Sequence, residues 1–405
     1  MSTTGSVTDS ILVLENAKER ISEKVRQWET RLLSISHDIH SHPELAFQEH
    51  RAARLLAEAL LEAGFDTTVG VYGLETAIEA SYGSGDFVVT VCAEYDALPS
   101  IGHGCGHNII AAAGLGAAIA LASIADEIGI RVKLLGTPAE ESGGGKVTML
   151  ENGAWSDSTV SLMVHGAPGI DMRCSDYRSQ AVDRFEVTYT GLPSHAAGAP
   201  QAGINALDAA TIALAAIGLS RQQLPNTVRV AAFITEGGEA TNIIPSRTVL
   251  QAEVRSFELA ELDDAKRKVM ACFEAGAIAS GCSWEQFQVQ PRYEPLRQEP
   301  LLATAWDTSV SGLGRTPIQV GSITGGSTDM GNVSQGVPSI HPAIGISGTT
   351  AAPHTAGFTE AAAGEGADQA IVDAAQALAW TAATVAINPE VRAELLARQD
   401  ERTGD

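Results

Sequence analysis

Apolar residues recur at helical spacing from 49 to 63, and the run ends at Gly64, a residue that commonly follows the last turn of a helix. Four later segments are short, apolar and rich in β-branched residues, which predicts strands. These segments are 77–80, 87–93, 131–136 and 159–165. Helical runs at 109–125 and 146–153 separate them. Strands that alternate with helices predict an α/β architecture, with a mixed, mostly parallel sheet and helices on both faces.

The hydrophobic pattern changes near residue 183. From there to about 295 it predicts strand, helix, strand, strand, helix and strand, in that order. The segments are 185–190, 205–217, 228–233, 248–256, 258–277 and 284–289. This βαββαβ order is that of the ferredoxin-like α+β fold, and it is long enough to form a domain. We therefore predict an outer domain of 1–182 and 296–405, into which a second domain, 183–295, is inserted.

One apolar run raises the question of a membrane span. The segment 109–125 carries no charged residue, but it is rich in Ala and Gly and is at the lower length limit for a spanning helix. We interpret it as a buried helix of a soluble domain. The first thirty residues have an amphipathic charged pattern and no secretory signal, and the five scattered cysteines are too few for a disulfide framework. These features predict a cytoplasmic protein.

The charge balance narrows the choice of partner. A formal net charge of −23 argues against nucleic acid, because the phosphates would be repelled. An anionic small molecule would need local positive charge, from metal ions or arginine, to overcome this field.

Side chains that can bind metal lie at strand ends and in loops of the outer domain. They are Cys105, His107, Glu140, Glu141, His165 and His354. Thiolate and imidazole suit zinc and similar ions, and two adjacent carboxylates on a loop can bind metal and accept a proton respectively. Each segment alone also fits an inert cysteine, a solvated acidic turn or a structural histidine. Together, however, the nitrogen, oxygen and sulfur donors are about what two metal ions require.

Several short motifs occur in an order that resembles the M20 metallopeptidase and amidohydrolase family. They are His42-Pro-Glu-Leu45 with Glu49, Tyr95-Asp96-Ala-Leu-Pro99, Gly104-Cys-Gly-His-Asn108, Glu140-Glu141, Gly191-Leu-Pro-Ser-His195, Asn242-Ile-Ile-Pro245, Gly326-Ser-Thr-Asp329 and Pro353-His-Thr355. They cover nearly the whole chain and most resemble the aminoacylase-like branch, whose members hydrolyse N-acyl or N-aroyl amino acids. The resemblance implies a catalytic outer domain with an inserted lid or dimerisation domain.

The resemblance also implies a role for each matching residue. Glu140 corresponds to the general base that activates water between two metals, Asp96 to an aspartate that orients a ligand, and His195 to a histidine that reaches the oxyanion, usually from the partner subunit. The implied metal ligands are Cys105, His107, Glu141, His165 and His354. The implied substrate-carboxylate site consists of Asn242, Arg255, Gly326, Ser327 and Thr328. Two divalent ions per subunit are expected, with zinc favoured over manganese, cobalt and nickel.

Two positions depart from the common family pattern. Glu94 and Asn108 stand where many relatives have aspartate, and these forms are most similar to the subgroup of p-aminobenzoyl-glutamate hydrolase and β-alanyl-lysine dipeptidase. The resemblance therefore implies a homodimeric enzyme that hydrolyses an amide bond beside a free carboxylate. The substrate is either an N-acyl amino acid or a dipeptide. A catalytically silent binding protein on the same fold is the alternative of another class, although neither Glu140 nor an implied ligand is missing.

Overall fold

The computed structural model describes residues 4–320 and 325–404, and the chain divides into two compact units. Unit 1 consists of Met1–Arg178, Leu296–Gly325 and Asp329–Asp405. Unit 2 consists of Ser179–Pro295 and Gly326–Thr328.

The unit boundary differs slightly from the sequence prediction. Unit 2 begins at Ser179 rather than at 183, because its first strand already pairs at Ala181 with Ser256. It also includes Gly326–Thr328, which was predicted to belong to the outer domain. The backbone N–H of Gln180 donates to the carbonyl of Gly326 at 2.9 Å, so hydrogen bonding attaches this short segment to unit 2.

Strands and helices are numbered in chain order. The strands are β1 (Asp66–Val71), β2 (Leu74–Tyr82), β3 (Phe87–Ala93), β4 (Ile130–Gly136), β5 (Val160–Leu162), β6 (His165–Pro168), β7 (Ala181–Thr190), β8 (Arg229–Glu236), β9 (Arg247–Ser256), β10 (Ser283–Gln288), β11 (Ser339–Ile340) and β12 (Ala343–Ile346). The helices are α1 (Thr4–Ser41), α2 (His50–Glu62), α3 (His107–Ala122), α4 (Ala125–Ile128), α5 (Gly145–Glu151), α6 (Ala206–Ser220), α7 (Leu259–Ser280), α8 (Pro300–Gly312), α9 (Met330–Gly336), α10 (Ala356–Ala361), α11 (Glu365–Ile387) and α12 (Pro389–Thr403).

Unit 1 contains a six-stranded mixed sheet in the order β1-β2-β4-β3-β5-β11. Strands β4, β3, β5 and β11 pair in parallel, while β1 and β2 extend one side with antiparallel pairing. The mixed, mostly parallel sheet predicted from the sequence is thereby confirmed. The predicted strand at 159–165 is in fact two strands, because the chain leaves the main sheet after Leu162 and β6 pairs with β12 in a separate parallel sheet.

The core of unit 1 lies on both faces of this sheet. Every residue of β3 is buried, and alternate side chains from Phe87 to Ala93 pack with α1, α3 and α11. Cys92 points to the opposite face, where it packs with residues of α5 and α9 such as Met149 and Met330. Alternation along one strand therefore supplies two apolar faces for helices to cover.

Two apolar helices of unit 1 are core helices. All residues of α3 are buried, as expected for the uncharged run predicted to be a buried helix. By length and composition α11 is also apolar enough to cross a membrane, but 67% of its most apolar window is buried inside the protein. Burial of this kind is what a core helix requires, so the composition of α11 alone is weak support for a membrane span.

Unit 2 has the βαββαβ order predicted from its periodicity. Its four strands form an antiparallel sheet in the order β10-β7-β9-β8. Helices α6 and α7 contribute Ala209, Ala213, Val269 and Phe273 to a core shared with Phe185 of β7. The unit therefore has its own hydrophobic core, as a domain requires.

Candidate metal and catalytic site

The candidate site of unit 1 forms where parallel strands end. Strands β3 and β4 run side by side, and the N–H of Thr137 donates to the carbonyl of Ala93 at 2.8 Å just beyond their ends. The loops that follow therefore leave the sheet at one edge, which is where open α/β sheets usually bind ligands. The first loop carries Glu94 and Asp96, and the second carries the Glu140-Glu141 pair.

Asp96 fixes the orientation of two candidate ligands. Its side chain is fully buried, with Oδ1 2.9 Å from Nδ1 of His107 and Oδ2 accepting the backbone N–H of Glu141 at 2.9 Å. Burial acts to raise the pKa of Asp96, but the charge and hydrogen bond of His107 outweigh it, and the pKa is lowered. An ionised Asp96 holds Nδ1–H of His107 and directs Nε2 into the site, which is how ligand histidines are commonly oriented.

Three buried polar atoms meet beside His107 without a hydrogen-bond partner among the described residues. They are Nε2 of His107, Oε2 of Glu94 and Oε1 of Glu141. The imidazole nitrogen lies 3.6 Å from the Glu94 oxygen and 3.8 Å from the Glu141 oxygen. Oε2 of Glu140 is also 3.8 Å from it. Buried polar atoms are rarely left unpaired, so this convergence fits residues that hold a cation.

Cys105 and two further histidines surround the same region. Sγ of Cys105 is 3.4 Å from Nε2 of His165, whose Nδ1 donates to the carbonyl of Gly166 at 2.7 Å. That bond leaves the lone pair of Nε2 available for a metal. Nε2 of His354 lies 3.7 Å from Oε2 of Glu141. The loop of His354 precedes the short helix α10, not the final helix as predicted.

The donor atoms fall into three compact groups. Within each group they lie no more than 4.8 Å apart, and the groups are Cys105 with His107 and His165, Cys105 with Glu141 and His354, and Glu94 with His107 and Glu140. The five predicted metal ligands thus form two groups that share Cys105. A shared thiolate between two neighbouring sets of imidazole and carboxylate donors fits a pair of divalent ions.

The electrostatics of the site also fit a cation. Burial, followed by the charge of Glu141, raises the pKa of the Cys105 thiol, so a positive charge is needed to keep it ionised at neutral pH. Burial, followed by the charges of Glu94 and Glu141, raises the pKa of Glu140 well above its ordinary value. Several carboxylates that lie together out of water repel one another, and divalent ions would relieve this repulsion.

The backbone before Glu140 is strained but firmly held. Ala139 has a φ of +61°, in the left-handed region that costs a residue with a Cβ about 1 kcal/mol or more. Its N–H donates to Oε1 of the buried Glu49 at 3.0 Å, and its carbonyl accepts the N–H of Gly144 at 2.9 Å. His354 also has a positive φ, of +65°. Strain of this kind often accompanies residues whose position matters for function.

In unit 2, the predicted oxyanion histidine has a defined hydrogen-bond pattern. Nδ1 of the exposed His195 accepts the backbone N–H groups of Ala197 at 3.2 Å and Gly198 at 3.0 Å. Because a backbone N–H can only donate, the neutral imidazole carries its proton on Nε2. Asn242 is exposed on the neighbouring segment, where its carbonyl accepts the N–H of Ala196 at 2.9 Å. His195 and Asn242 are therefore close together within this unit.

The remaining predicted substrate-binding residues form a second cluster in unit 2. Arg255 makes a two-point ion pair with Glu253 at 2.8 and 3.0 Å, and its third contact is with Oγ of Ser327 at 3.2 Å. Gly326 accepts the N–H of Gln180, and Thr328 is buried. The structure thus brings Arg255 and Ser327 together, but it also pairs the guanidinium of Arg255 with an acid of its own sheet.

Sequence reasoning missed two residues that lie in or behind the site. Glu94 was noted only as a departure from the common aspartate, and Lys146 only as part of a helix. In the structure both are completely buried and paired with each other. A lysine inside a segment that follows a glycine run is the only sequence signal, and it does not indicate the distant partners.

The fold and the donor set define a class, the metallohydrolases that cleave amide bonds, and comparison with known proteins identifies the family. The profile of peptidase family M20/M25/M40 matches residues 91–376. A relative from Mus musculus, called Xaa-Arg dipeptidase, is 38% identical over 399 residues, which is 94% of this chain and 92% of the relative. The chain belongs to this family and is a hydrolase of amide bonds, as the sequence resemblance implied.

Other similarities agree with this assignment. A p-aminobenzoyl-glutamate hydrolase from Escherichia coli has a subunit that is 30% identical over 278 residues, which is 64% of this chain and 57% of that protein. Two solved structures share the fold. An aminobenzoyl-glutamate utilization protein from Klebsiella pneumoniae has a TM-score of 0.73 at 19% identity, with 91% of this chain and 99% of the other covered. A dinuclear metal-binding M20 peptidase from Bacillus subtilis has a TM-score of 0.66 at 22% identity, with 89% and 99% covered.

Proposed function

We propose that this protein uses two divalent metal ions to hydrolyse an amide bond next to a free carboxylate. The observation that carries the proposal is the convergence of unpaired, buried donor atoms of His107 and Glu141 with Cys105, His165 and His354 at one sheet edge. When bound, two such ions supply Lewis acidity to the amide carbonyl and make water easier to deprotonate. Every other role belongs to residues of this chain.

Glu140 is proposed to be the general base. It takes a proton from the attacking water and passes this proton to the leaving amine. A pKa raised by burial and by neighbouring carboxylates brings the group nearer to neutral pH, where a carboxylate can both accept and return a proton. Asp96 acts indirectly by holding His107 and the backbone of Glu141 in place.

His195 is proposed to stabilise the oxyanion through Nε2–H, the proton position favoured by its backbone contacts. By resemblance to the family this histidine reaches the site from the partner subunit, so the active protein is proposed to be a homodimer. Asn242, Arg255 and the Gly326–Thr328 backbone are proposed to bind the substrate carboxylate. For Arg255 this requires its guanidinium to bind substrate in addition to Glu253, or to exchange one for the other.

The substrate is either an N-acyl amino acid or a dipeptide, and a specific observation favours the dipeptide. The relatives that match over more than nine tenths of this chain are called Xaa-Arg dipeptidases, at 38% and 36% identity. The N-acetyl-L-cysteine deacetylase of Bacillus subtilis is 28% identical over 61% of the chain. A net charge of −23 would also attract a substrate with a cationic side chain. We therefore propose a dipeptide with a basic C-terminal residue as the first substrate to test.

A hydrolysis screen with metals added back one at a time tests these proposals. The metal-free protein would be given zinc, manganese, cobalt or nickel and then N-acyl amino acids and dipeptides with basic, acidic or apolar C-terminal residues. Zinc is the proposed native ion because thiolate and imidazole are suitable zinc ligands. Hydrolysis of Xaa-Arg or Xaa-Lys dipeptides is the expected result. Metal binding without turnover of any amide would favour the silent binding protein.

The proposed site of action is the cytoplasm. All five cysteines are free in the described residues, which suits a reducing compartment. Fractionation of the source cells would test this location.

A further inference from the structure

Behind the candidate site lies a buried ionic cluster that the sequence motifs do not explain. Nζ of Lys146 contacts Oε1 of Glu94 and Oδ1 of Asp329, the latter at 2.8 Å. The backbone N–H of Lys146 also donates to Oδ2 of Asp329 at 2.9 Å. All three side chains are fully buried. Asp329 therefore holds Lys146 at two points, and Lys146 in turn fixes one oxygen of Glu94.

The other oxygen of Glu94 faces the candidate metal ligands. Oε2 is buried, has no hydrogen-bond partner among the described residues, and lies 3.6 Å from Nε2 of His107. Glu94, His107 and Glu140 each offer a donor atom within 4.8 Å of the others. An unpaired carboxylate oxygen in a dry interior costs several kcal/mol unless a cation or donor meets it. Its aim at His107 Nε2 points to the same ion.

Neutralising Lys146 is not a sufficient reason for Glu94 to be there. Elsewhere in unit 1 the buried Lys133 is satisfied by one carboxylate, Asp157, together with the carbonyl of Ala154 at 2.8 Å. Lys146 already has the carboxylate of Asp329. A second buried carboxylate adds a desolvation cost that one cation does not repay, so the second oxygen of Glu94 needs a use of its own.

We propose that Glu94 is a further metal-binding residue of this centre, which contributes Oε2 to the ion that His107 holds. Lys146 and Asp329 are positioning residues that occupy Oε1 and leave a single oxygen for the metal. This inference rests on the proposed function, because it needs a metal at the site. It also gives a reason for glutamate at this position, since aspartate is shorter by one methylene and reaches less far beyond the same lysine.

Metal binding by the metal-free full-length protein tests the inference without relying on activity. Co²⁺ and Zn²⁺ would be titrated in competition with a chromophoric chelator, and the visible spectrum of the Co²⁺ form recorded. Glu94→Gln is expected to weaken one of the two metal equivalents by at least about tenfold and to change the Co²⁺ ligand-field bands. Asp157→Asn removes the acid beside the other buried lysine and is expected to bind both ions as the wild type does.

A double substitution separates a ligand from a mere counter-ion. If Glu94 only neutralises Lys146, then Glu94→Gln combined with Lys146→Met restores wild-type metal affinity, and that result would overturn the proposal. If Oε2 binds the ion, the double variant stays as weak as Glu94→Gln. Thermal unfolding of the metal-free variants checks that each is folded. Should Glu94→Gln not fold, Glu94→Asp keeps the charge and decides the question, because it is expected to bind one equivalent more weakly.

The remaining outcomes are distinct. Unchanged affinity for both equivalents in the folded Glu94 variants, together with lost affinity in Cys105→Ser, would refute the role of Glu94 and leave the proposed function standing. A wild-type protein that binds neither ion would refute both.

Discussion

At the scale of single residues, Glu140 and Glu141 are adjacent in the chain but have different contacts. Glu141 has its backbone N–H fixed by Asp96 and its side chain beside His354, which suits a ligand. We expect Glu140→Gln to keep metal content near the wild-type level and to lower turnover by about 10²- to 10⁴-fold, because only proton transfer is lost. Metal analysis and steady-state kinetics on one preparation would check this. Loss of metal alongside activity would mean that the two roles are exchanged.

The contact of Cys105 with His165 leads to a spectroscopic prediction. If the thiolate binds metal, the Co²⁺-substituted protein should show a sulfur-to-metal charge-transfer band in the near ultraviolet, and Cys105→Ser should lose this band and bind Co²⁺ more weakly. Cys282→Ser, which changes a free cysteine of unit 2, is the matched control and should keep the band. A spectrum unchanged in Cys105→Ser would remove this residue from the site.

Glu49, which anchors the backbone before Glu140, should make stability depend on pH. Burial, only partly offset by hydrogen bonds, raises its pKa from 4.5 to about 7. The folded protein then holds a proton that the unfolded chain has lost, so this contribution to stability is complete below about pH 4.5 and disappears as pH rises through 7. The size of the loss is about 3 kcal/mol.

Urea unfolding of the metal-free protein at pH 5 and pH 7.5 measures this effect. Glu49→Gln keeps an acceptor for the N–H groups of Phe47 and Ala139 but cannot ionise. We expect its stability to fall less than that of the wild type between the two pH values, by about 3 kcal/mol. Equal falls in the two proteins would show that Glu49 does not titrate in this range.

At the scale of elements, the contact of α3 with β3 depends on a residue without a side chain. A Cβ at Gly114 would lie 2.9 Å from the carbonyl oxygen of Cys92 and 3.3 Å from Cβ of Ala93. A Cβ at Gly218 in α6 would meet nothing within 4 Å. The two helical glycines therefore form a matched pair for substitution by alanine.

Gly114→Ala should destabilise the protein, because overpacking costs about 1–3 kcal/mol and outweighs the roughly 1 kcal/mol that alanine adds in a helix. Gly218→Ala should instead stabilise α6 by about 0.5–1 kcal/mol. Denaturant unfolding, followed by a signal from each unit, would measure both. A stabilised Gly114→Ala would show that α3 can move away from β3 at little cost.

At the scale of the whole molecule, the proposed homodimer has a direct test by complementation. His195→Ala and Glu140→Gln should each be nearly inactive. If His195 acts across the subunit contact, mixing the two variants under conditions of subunit exchange should restore about a quarter of the sites, because half of the dimers are mixed and each has one intact site. Size-exclusion chromatography would first establish the dimer. Free exchange without recovered activity would place His195 within its own chain or outside the reaction.

The sequence by itself determined those features that are encoded by local periodicity. The fully buried β3 and α3 have uninterrupted apolar sequences, and the βαββαβ order of unit 2 follows from alternating and helical spacing. Such patterns lie within windows of ten to twenty residues, which is why they can be recognised without knowing what packs against them. The metal-donor residues were also found from sequence, because each lies in a short motif at a predicted strand end or in a loop.

Only the tertiary structure decided which distant groups meet. Glu94, Lys146 and Asp329 are far apart in the chain, and neither their pairing nor the unpaired Oε2 of Glu94 has a local signature. The strand predicted at 159–165 was divided for the same reason, because β6 pairs with the distant β12. Gly326–Thr328 belongs to unit 2 through hydrogen bonding that no local pattern records. Long-range pairing depends on the packing of the whole chain, whereas periodicity depends only on neighbours.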